Sequence, residues 1–96
     1  MLIARVQGNA VASAKHQALE SSKLMLVCPA DPFGKVKGEP FLALDLVGAG
    51  EDELVIVSTG SAARVATGHR DAPVDAAITG ILDSLFFESE AAYTKQ

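Results

Sequence analysis

The chain has 96 residues, 49% of them hydrophobic, with a formal net charge of −4 and a single cysteine, Cys28. That is the length of one domain, whose core stays modest unless copies associate. Acidity, scattered lysines (Lys23, Lys35, Lys37) and few aromatics argue against nucleic acid, and no apolar run is long enough to span a membrane.

Leu2 to Gln7 alternates apolar and polar from Ile3 onward and reads as a strand, with Gly8-Asn9 as a turn and Ala10 to Ser13 as a second strand. Met1 to Arg5 enters this pattern without the layout of a secretory signal, and one cysteine cannot close an internal disulfide, so a cytoplasmic location is expected. Lys15 to Ser22 is polar around Leu19 and reads as a loop, with a helical turn as the alternative. Lys23 to Cys28 is a continuous apolar run ended by Pro29, which suits a strand buried on both faces. Asp31-Pro32-Phe33-Gly34 is a turn signature, because proline pre-sets one backbone angle and glycine accepts a positive φ. Phe41 to Val47 and Leu54 to Ser58 are further strands, separated by the turn Gly48 to Glu53. Thr59-Gly60-Ser61 closes the last of them.

The period then changes. Val74, Ala77, Ile78, Ile81, Leu82 and Leu85 fall at i, i+3, i+4, i+7, i+8 and i+11, one face of an amphipathic helix. Pro73 in its first turn, after Asp71 or Ala72, and Asp75 near the positive end of the dipole fit that reading. Gly80 inside the helix implies close approach of another backbone. The helix is expected to cover the open end of a barrel, and the tail with Phe86, Phe87 and Tyr93 is expected to dock. The fold class is therefore mainly β: a five-stranded OB-like β-barrel with one amphipathic α-helix near the C-terminus.

Candidate chemistry is thin. Gly48-Ala49-Gly50 lacks the third glycine and the following helix of a dinucleotide fingerprint, and Glu51, Asp52 and Glu53 would repel a phosphate. These acids also lack the glycine punctuation of a calcium loop. A nucleophilic Ser61 would need a histidine and an orienting acid, and no pattern ties His16 or His69 to it; Ser61 reads as the N-cap of a short helical turn. Arg64 either pairs with an acid such as Asp75 or Asp83 or is solvated. The two histidines read as surface residues without metal spacing, and Cys28 as a small core residue. No catalytic, cofactor or metal site is expected.

In order along the chain, Met1 to Gly8, Val47 to Gly50, Glu53 to Val57, Gly60-Ser61-Ala62-Ala63-Arg64, Pro73 to Ile78 and Gly80 to Asp83 resemble the EutN/CcmL family, the vertex proteins of bacterial microcompartment shells. Leu82-Asp83-Ser84 departs mildly, standing where isoleucine-aspartate is common, and the loop Pro29 to Pro40 does not identify a compartment type. The resemblance implies a single vertex domain over residues 1–96. It implies a homopentamer that caps the five-fold vertices of a shell enclosing metabolic enzymes, with hexameric and trimeric shell proteins as partners. It brings no catalytic residues and no cofactor, and it places the chain in a microcompartment shell in the cytoplasm.

A five-fold ring needs one patch to meet a different patch on the next subunit. The small residues Gly48, Ala49, Gly50, Gly60, Ser61 and Ala62, with Arg64, are the expected subunit interface; ordinary hairpin chemistry within one subunit is the competing account of the same turns. Two other functions compete with a shell role. A free-standing binding module of the same barrel class predicts a monomer or dimer with an open groove. A hydrolase using Ser61 predicts that Ser61→Ala abolishes turnover.

Overall fold

Ala4 and Val6 are fully buried while Ile3, Arg5 and Gln7 beside them are not, the two-residue period of a strand with one face turned inward. The computed structural model describes residues 1–12, 19, 23–68 and 73–96. Over these the chain forms β1 (Leu2–Ala10), β2 (Lys23–Pro29), β3 (Phe41–Asp45), β4 (Leu54–Thr59), α1 (Ser61–Thr67), β5 (Ala76–Ile81), β6 (Ser84–Phe87) and β7 (Glu90–Thr94). The strands β1-β2-β3-β5-β4 close into a barrel, and β6 and β7 pair as a separate two-stranded sheet. β3 and β5 run parallel through Leu44–Ala77 and Asp45–Ile78, and the other barrel pairs are antiparallel.

Two apolar clusters result. Inside the barrel, Ala4, Val6, Met25, Val27, Ala43, Ala49, Val55, Val57, Ala76 and Ile78 pack together, with Leu2, Phe41 and Ile81 against them. On the outer wall, Leu44, Ala63, Val74 and Ala77 form a second cluster with Leu19 and Leu24. Strand alternation explains the split: Ala43 and Leu44 are neighbours on opposite faces of β3, as are Ala76 and Ala77 on β5. The small Ala63 and Ala77 let α1 lie close to the wall. Full burial of each large apolar side chain contributes roughly 1.5–3 kcal/mol.

Residues 74–85 do not form the expected helix. They supply β5 and the start of β6. The helical spacing comes from a β-bulge: β4 and β5 pair as Val55–Ile81, Ile56–Gly80 and Val57–Ile78, which leaves Thr79 as the extra residue. Ile78 and Ile81, three apart, therefore share the inner face. Ala77 and Val74 share the outer one, so two apolar strand faces mimic a helix stripe. Asp71 and Ala72, read as the cap of that helix, lie outside the described residues. Gly80 sits close to the side chain of Ile56, 3.1 Å from where a Cβ would reach its Cδ1, rather than to a second backbone. The helix that does form, α1, precedes β5 and covers the barrel's outer wall, not its open end.

β1 runs through Gly8-Asn9 instead of turning there, because a bulge at Gln7, between the Val6–Val27 and Gly8–Leu26 pairs, absorbs the irregularity. No second strand begins at Ala10, which ends β1, and Val11 and Ala12 are exposed. The fifth barrel strand is β5 instead. Ser13 and most of the Lys15 to Ser22 loop lie outside the described residues. The turn at Asp31 forms as expected: Asp31 Oδ1 accepts from the N–H groups of Phe33 (2.9 Å) and Lys35 (3.0 Å), and Gly34 takes φ +83°. Cys28 is buried and its thiol donates to the Gly38 carbonyl at 3.4 Å.

Candidate functional site

β3 ends in an acid that builds the turn after it. Asp45 Oδ1 accepts from the backbone N–H groups of Val47 (3.1 Å), Gly48 (3.1 Å) and Ala49 (3.2 Å), and Oδ2 accepts from Ala49 at 3.0 Å. Converging N–H groups on one carboxylate fix a tight reversal without a hairpin ladder. Gly48, with φ +75°, supplies the left-handed step, and a Cβ placed on it would meet no other atom within 4 Å. Leu46 and Val47 are left exposed at the apex. Ala49 swings back into the barrel and is 3% exposed. The Gly50 N–H donates to Glu53 Oε1, which closes the far side of the turn.

The second small-residue turn follows β4. Gly60 caps α1 with φ 61° and ψ −138°, a region open to glycine and strained for other residues. Its N–H donates to the Asp75 carbonyl at 2.8 Å. No side chain caps the helix, and Ser61 is its first residue rather than its cap: glycine at 60 reaches the required backbone angles and leaves the serine one position too late. Gly68 ends the helix in the left-handed conformation, φ 77°. Ser61 and Ala62 are exposed, whereas Ala63 packs inward. Arg64 is half-buried and donates from Nη1 to the Val74 carbonyl at 3.4 Å, which ties α1 to the chain entering β5.

The hairpin β6–β7 is held to one end of the barrel by side chains. Arg5 donates to the Gly34 carbonyl from Nε (3.0 Å) and Nη2 (2.6 Å) and to the Asp52 carbonyl from Nη1 (2.7 Å). Its guanidinium lies over the Tyr93 ring at 5.9 Å, and Phe33 meets Phe87 edge to face at 5.7 Å. Lys95 Nζ donates to Glu53 Oε2 at 2.5 Å. An open depression of about 600 Å³ runs between these groups, lined by Arg5, Phe33, Glu53, Tyr93 and Lys95 among others.

The Lys95 ammonium, and after it the Gly50 N–H, hold the Glu53 carboxyl below its ordinary range; the same hydrogen bond raises Lys95. The anchoring from Glu53 is present at neutral pH and is lost as pH falls through its lowered pKa. That from Lys95 is lost only as pH rises through its raised pKa. Amide protection over residues 84–94, corrected for intrinsic exchange, is therefore expected to fall as pH drops through that lowered pKa, below the ordinary carboxylate range. In Glu53→Gln that acid-dependent step should vanish. An unchanged profile in the variant would show that the pair does not hold the hairpin.

Of the residues singled out in sequence, Gly48, Gly60, Ser61 and Ala62 are exposed on two separate turns, Gly50 and Arg64 are half-buried, and Ala49 belongs to the subunit's own core. His16 and His69 lie outside the described residues. A shallow apolar groove of about 680 Å³, lined by Leu2, Phe41, Leu42, Thr59, Gly60, Asp75 and Ala76, borders the second turn. It passed unnoticed in the sequence because Leu42 reads as ordinary strand, yet it stands 49% exposed. Asp45 passed unnoticed too, although an acid at the end of a strand before a Gly-Ala-Gly run is a legible turn signal.

A closed five-stranded barrel with glycine-bearing turns defines an OB-like barrel. Residues 1–83 match the family model described as ethanolamine utilisation protein EutN/carboxysome. The chain is 38% identical over 96 residues to the carboxysome shell vertex protein CcmL of Synechococcus elongatus, covering 100% of this chain and 97% of that one. The solved structure of Nostoc CcmL superposes with a TM-score of 0.91 at 41% identity, covering 99% of this chain and 100% of that one. The GrpN pentameric microcompartment shell protein of Rhodospirillum rubrum superposes with a TM-score of 0.82 at 34% identity, covering 91% and 99%. The chain belongs to the EutN/CcmL family.

Proposed function

We propose that this chain is a structural subunit of a bacterial microcompartment shell, assembled as a homopentamer at the shell's vertices. The observation that supports it is similarity along nearly the whole chain to shell vertex proteins, one of them solved as a pentameric shell protein. The work of such a protein is geometric. Flat hexagonal tiling does not close, and five-fold units introduce the curvature that closes it. Residues 1–96 act as one vertex domain, and its partners beyond its own copies are hexameric and trimeric shell proteins. Neighbouring subunits meet at the small-residue turns. Exposed Gly48, Gly60, Ser61 and Ala62 leave room for another backbone, and Arg64 fixes α1 behind them.

Native mass distinguishes this from a free-standing binding module. A pentamer of the 10.0 kDa chain is expected; a monomer over a wide concentration range would overturn the assignment. Ala62→Glu tests the turn. An acid in the first helical turn suits the helix dipole and leaves the subunit stable, but it puts bulk and charge where a neighbour approaches. The variant is expected to keep its fold by circular dichroism and lose the pentamer. An intact pentamer would remove this turn from the interface.

A further inference from the structure

The β6–β7 hairpin has two faces with different obligations. Cross-strand pairing puts Leu85 opposite Tyr93 and Phe87 opposite Glu90, while Ser84 faces Thr94 and Phe86 faces Ala91. Tyr93 and Phe87 turn toward their own subunit, where they meet Arg5 and Phe33. The other face carries Ser84, Phe86, Ala91 and Thr94, all exposed and none charged. Phe86 is 68% exposed, among the largest apolar surfaces of the chain. A phenylalanine held out on a side-chain-latched hairpin, in a molecule extending 44 Å along one axis and 24 Å and 22 Å along the others, is placed to reach a neighbour.

The same fold places an apolar receptor where this arm cannot reach it. The hairpin leaves the barrel beside Leu54, whose carbonyl accepts from the Leu82 N–H at 2.9 Å, and it returns to the same end through Lys95, whose N–H donates to the Asp83 carbonyl at 2.7 Å. The groove of Leu2, Phe41, Leu42 and Ala76 lies at the other end of the β4–β5 ladder, where Thr59 pairs with Ala76. Five residues of strand separate the ends, roughly 17 Å at 3.3–3.4 Å per residue. One subunit thus carries a projecting apolar face and a receding apolar face that it cannot bring together itself. A head-to-tail ring requires such a pair. The groove also adjoins Gly60, the turn already assigned to the interface.

The geometry points to the β6–β7 hairpin as an assembly arm whose Phe86 face seats in the Leu42 groove of a second copy of this chain. This rests on the pentamer reading and names which surfaces make the ring. The occupant is a second copy because the solved GrpN relative is a pentamer of a similar barrel, and because the arm's outer face lacks the charge that would suit an acidic or basic partner. Glu90 pairs with Phe87 on the inner face and Glu88 is at the tip, so the outer face itself carries no acid towards Asp75 at the groove's rim.

The test uses the full chain and native mass spectrometry. Phe86→Glu and Leu42→Glu are each expected to fold, because both positions are exposed, and each to lose the pentamer. Mixed in equal amounts, the two variants should give a one-to-one dimer that grows no further, because only one intact arm and one intact groove remain per pair. A double variant, Phe86→Cys with Leu42→Cys, is expected to oxidise into a covalent ladder of up to five chains, since the native Cys28 is buried. A pentamer that persists in Phe86→Glu overturns the arm while leaving the shell reading intact, and it frees the face for another shell component. A wild-type monomer overturns the shell reading itself. A mixture that stays monomeric, or a double-cysteine variant that never crosslinks between chains, also overturns the arm.

Discussion

Ile78→Ala is expected to destabilise the subunit by about 4 kcal/mol, near the upper part of the range for removing a large buried aliphatic side chain. Ile78 is fully buried, faces Val57 across the β4–β5 ladder and packs with the barrel core. Truncation opens a cavity where two curved strands meet, and a closed barrel has little freedom to collapse onto it. Urea unfolding at fixed protomer concentration measures the effect, because association shifts apparent stability. The adjacent Thr79 is the comparison. As the bulged residue it is half-buried and shares a 3.0 Å hydrogen bond with Ser58, so Thr79→Ala should cost only about 1 kcal/mol. A loss at Ile78 no larger than that at Thr79 would contradict the inward register of β5.

Asp45→Ala is expected to cost about 2–3 kcal/mol, within the range for hydrogen bonds to a charged group. One carboxylate gathers the N–H groups of Val47, Gly48 and Ala49, so its loss opens the whole reversal. Ala49 would lose the restraint that seats it in the core, and the effect should reach the barrel. For a domain of this size, 2–3 kcal/mol lowers Tm by roughly 8–24 °C. Asp45→Asn keeps one carbonyl acceptor and should recover part of the loss. Amide exchange read at residues 47–49 localises the change. If exchange there stays slow in Asp45→Ala, the carboxylate does not organise the turn.

The strands β2 to β4 were legible because each carries an apolar run bounded by glycine or proline, whereas of β1 only the alternating start was, since a bulge at Gln7 carries the strand on through Gly8 to Ala10. The Asp31 turn was legible because its residue types each serve one backbone requirement. β5 was not, because its bulge at Thr79 spaces inward residues three apart and both of its faces are apolar. The β6–β7 hairpin was read as a tail for a different reason. Its turn uses Glu88 (φ 54°) and Ser89 (φ 67°), two consecutive positive-φ residues of which neither is glycine or asparagine, so the usual hairpin signal is missing. The small-residue turns were found by composition, but composition does not reveal direction. Gly60 and Ala62 face outward while Ala49 faces its own core, and that depends on Asp45 and on α1.

Barrel closure also governs how growth stops. A sheet with open edges offers a row of unpaired main-chain groups, and any further strand can extend it without limit. Here the five barrel strands pair around the ring, β3 and β5 through two residue pairs, and among the described residues the separate strands β6 and β7 are only four and five residues long. Copies must therefore recognise one another through turns and side chains, whose shape fixes an angle between neighbours. Such an angle gives a finite ring where the rotation closes and an open helical array where it does not. A ring ends when the last copy meets the first, and closure of the barrel removes one route to a fibre, extension strand by strand.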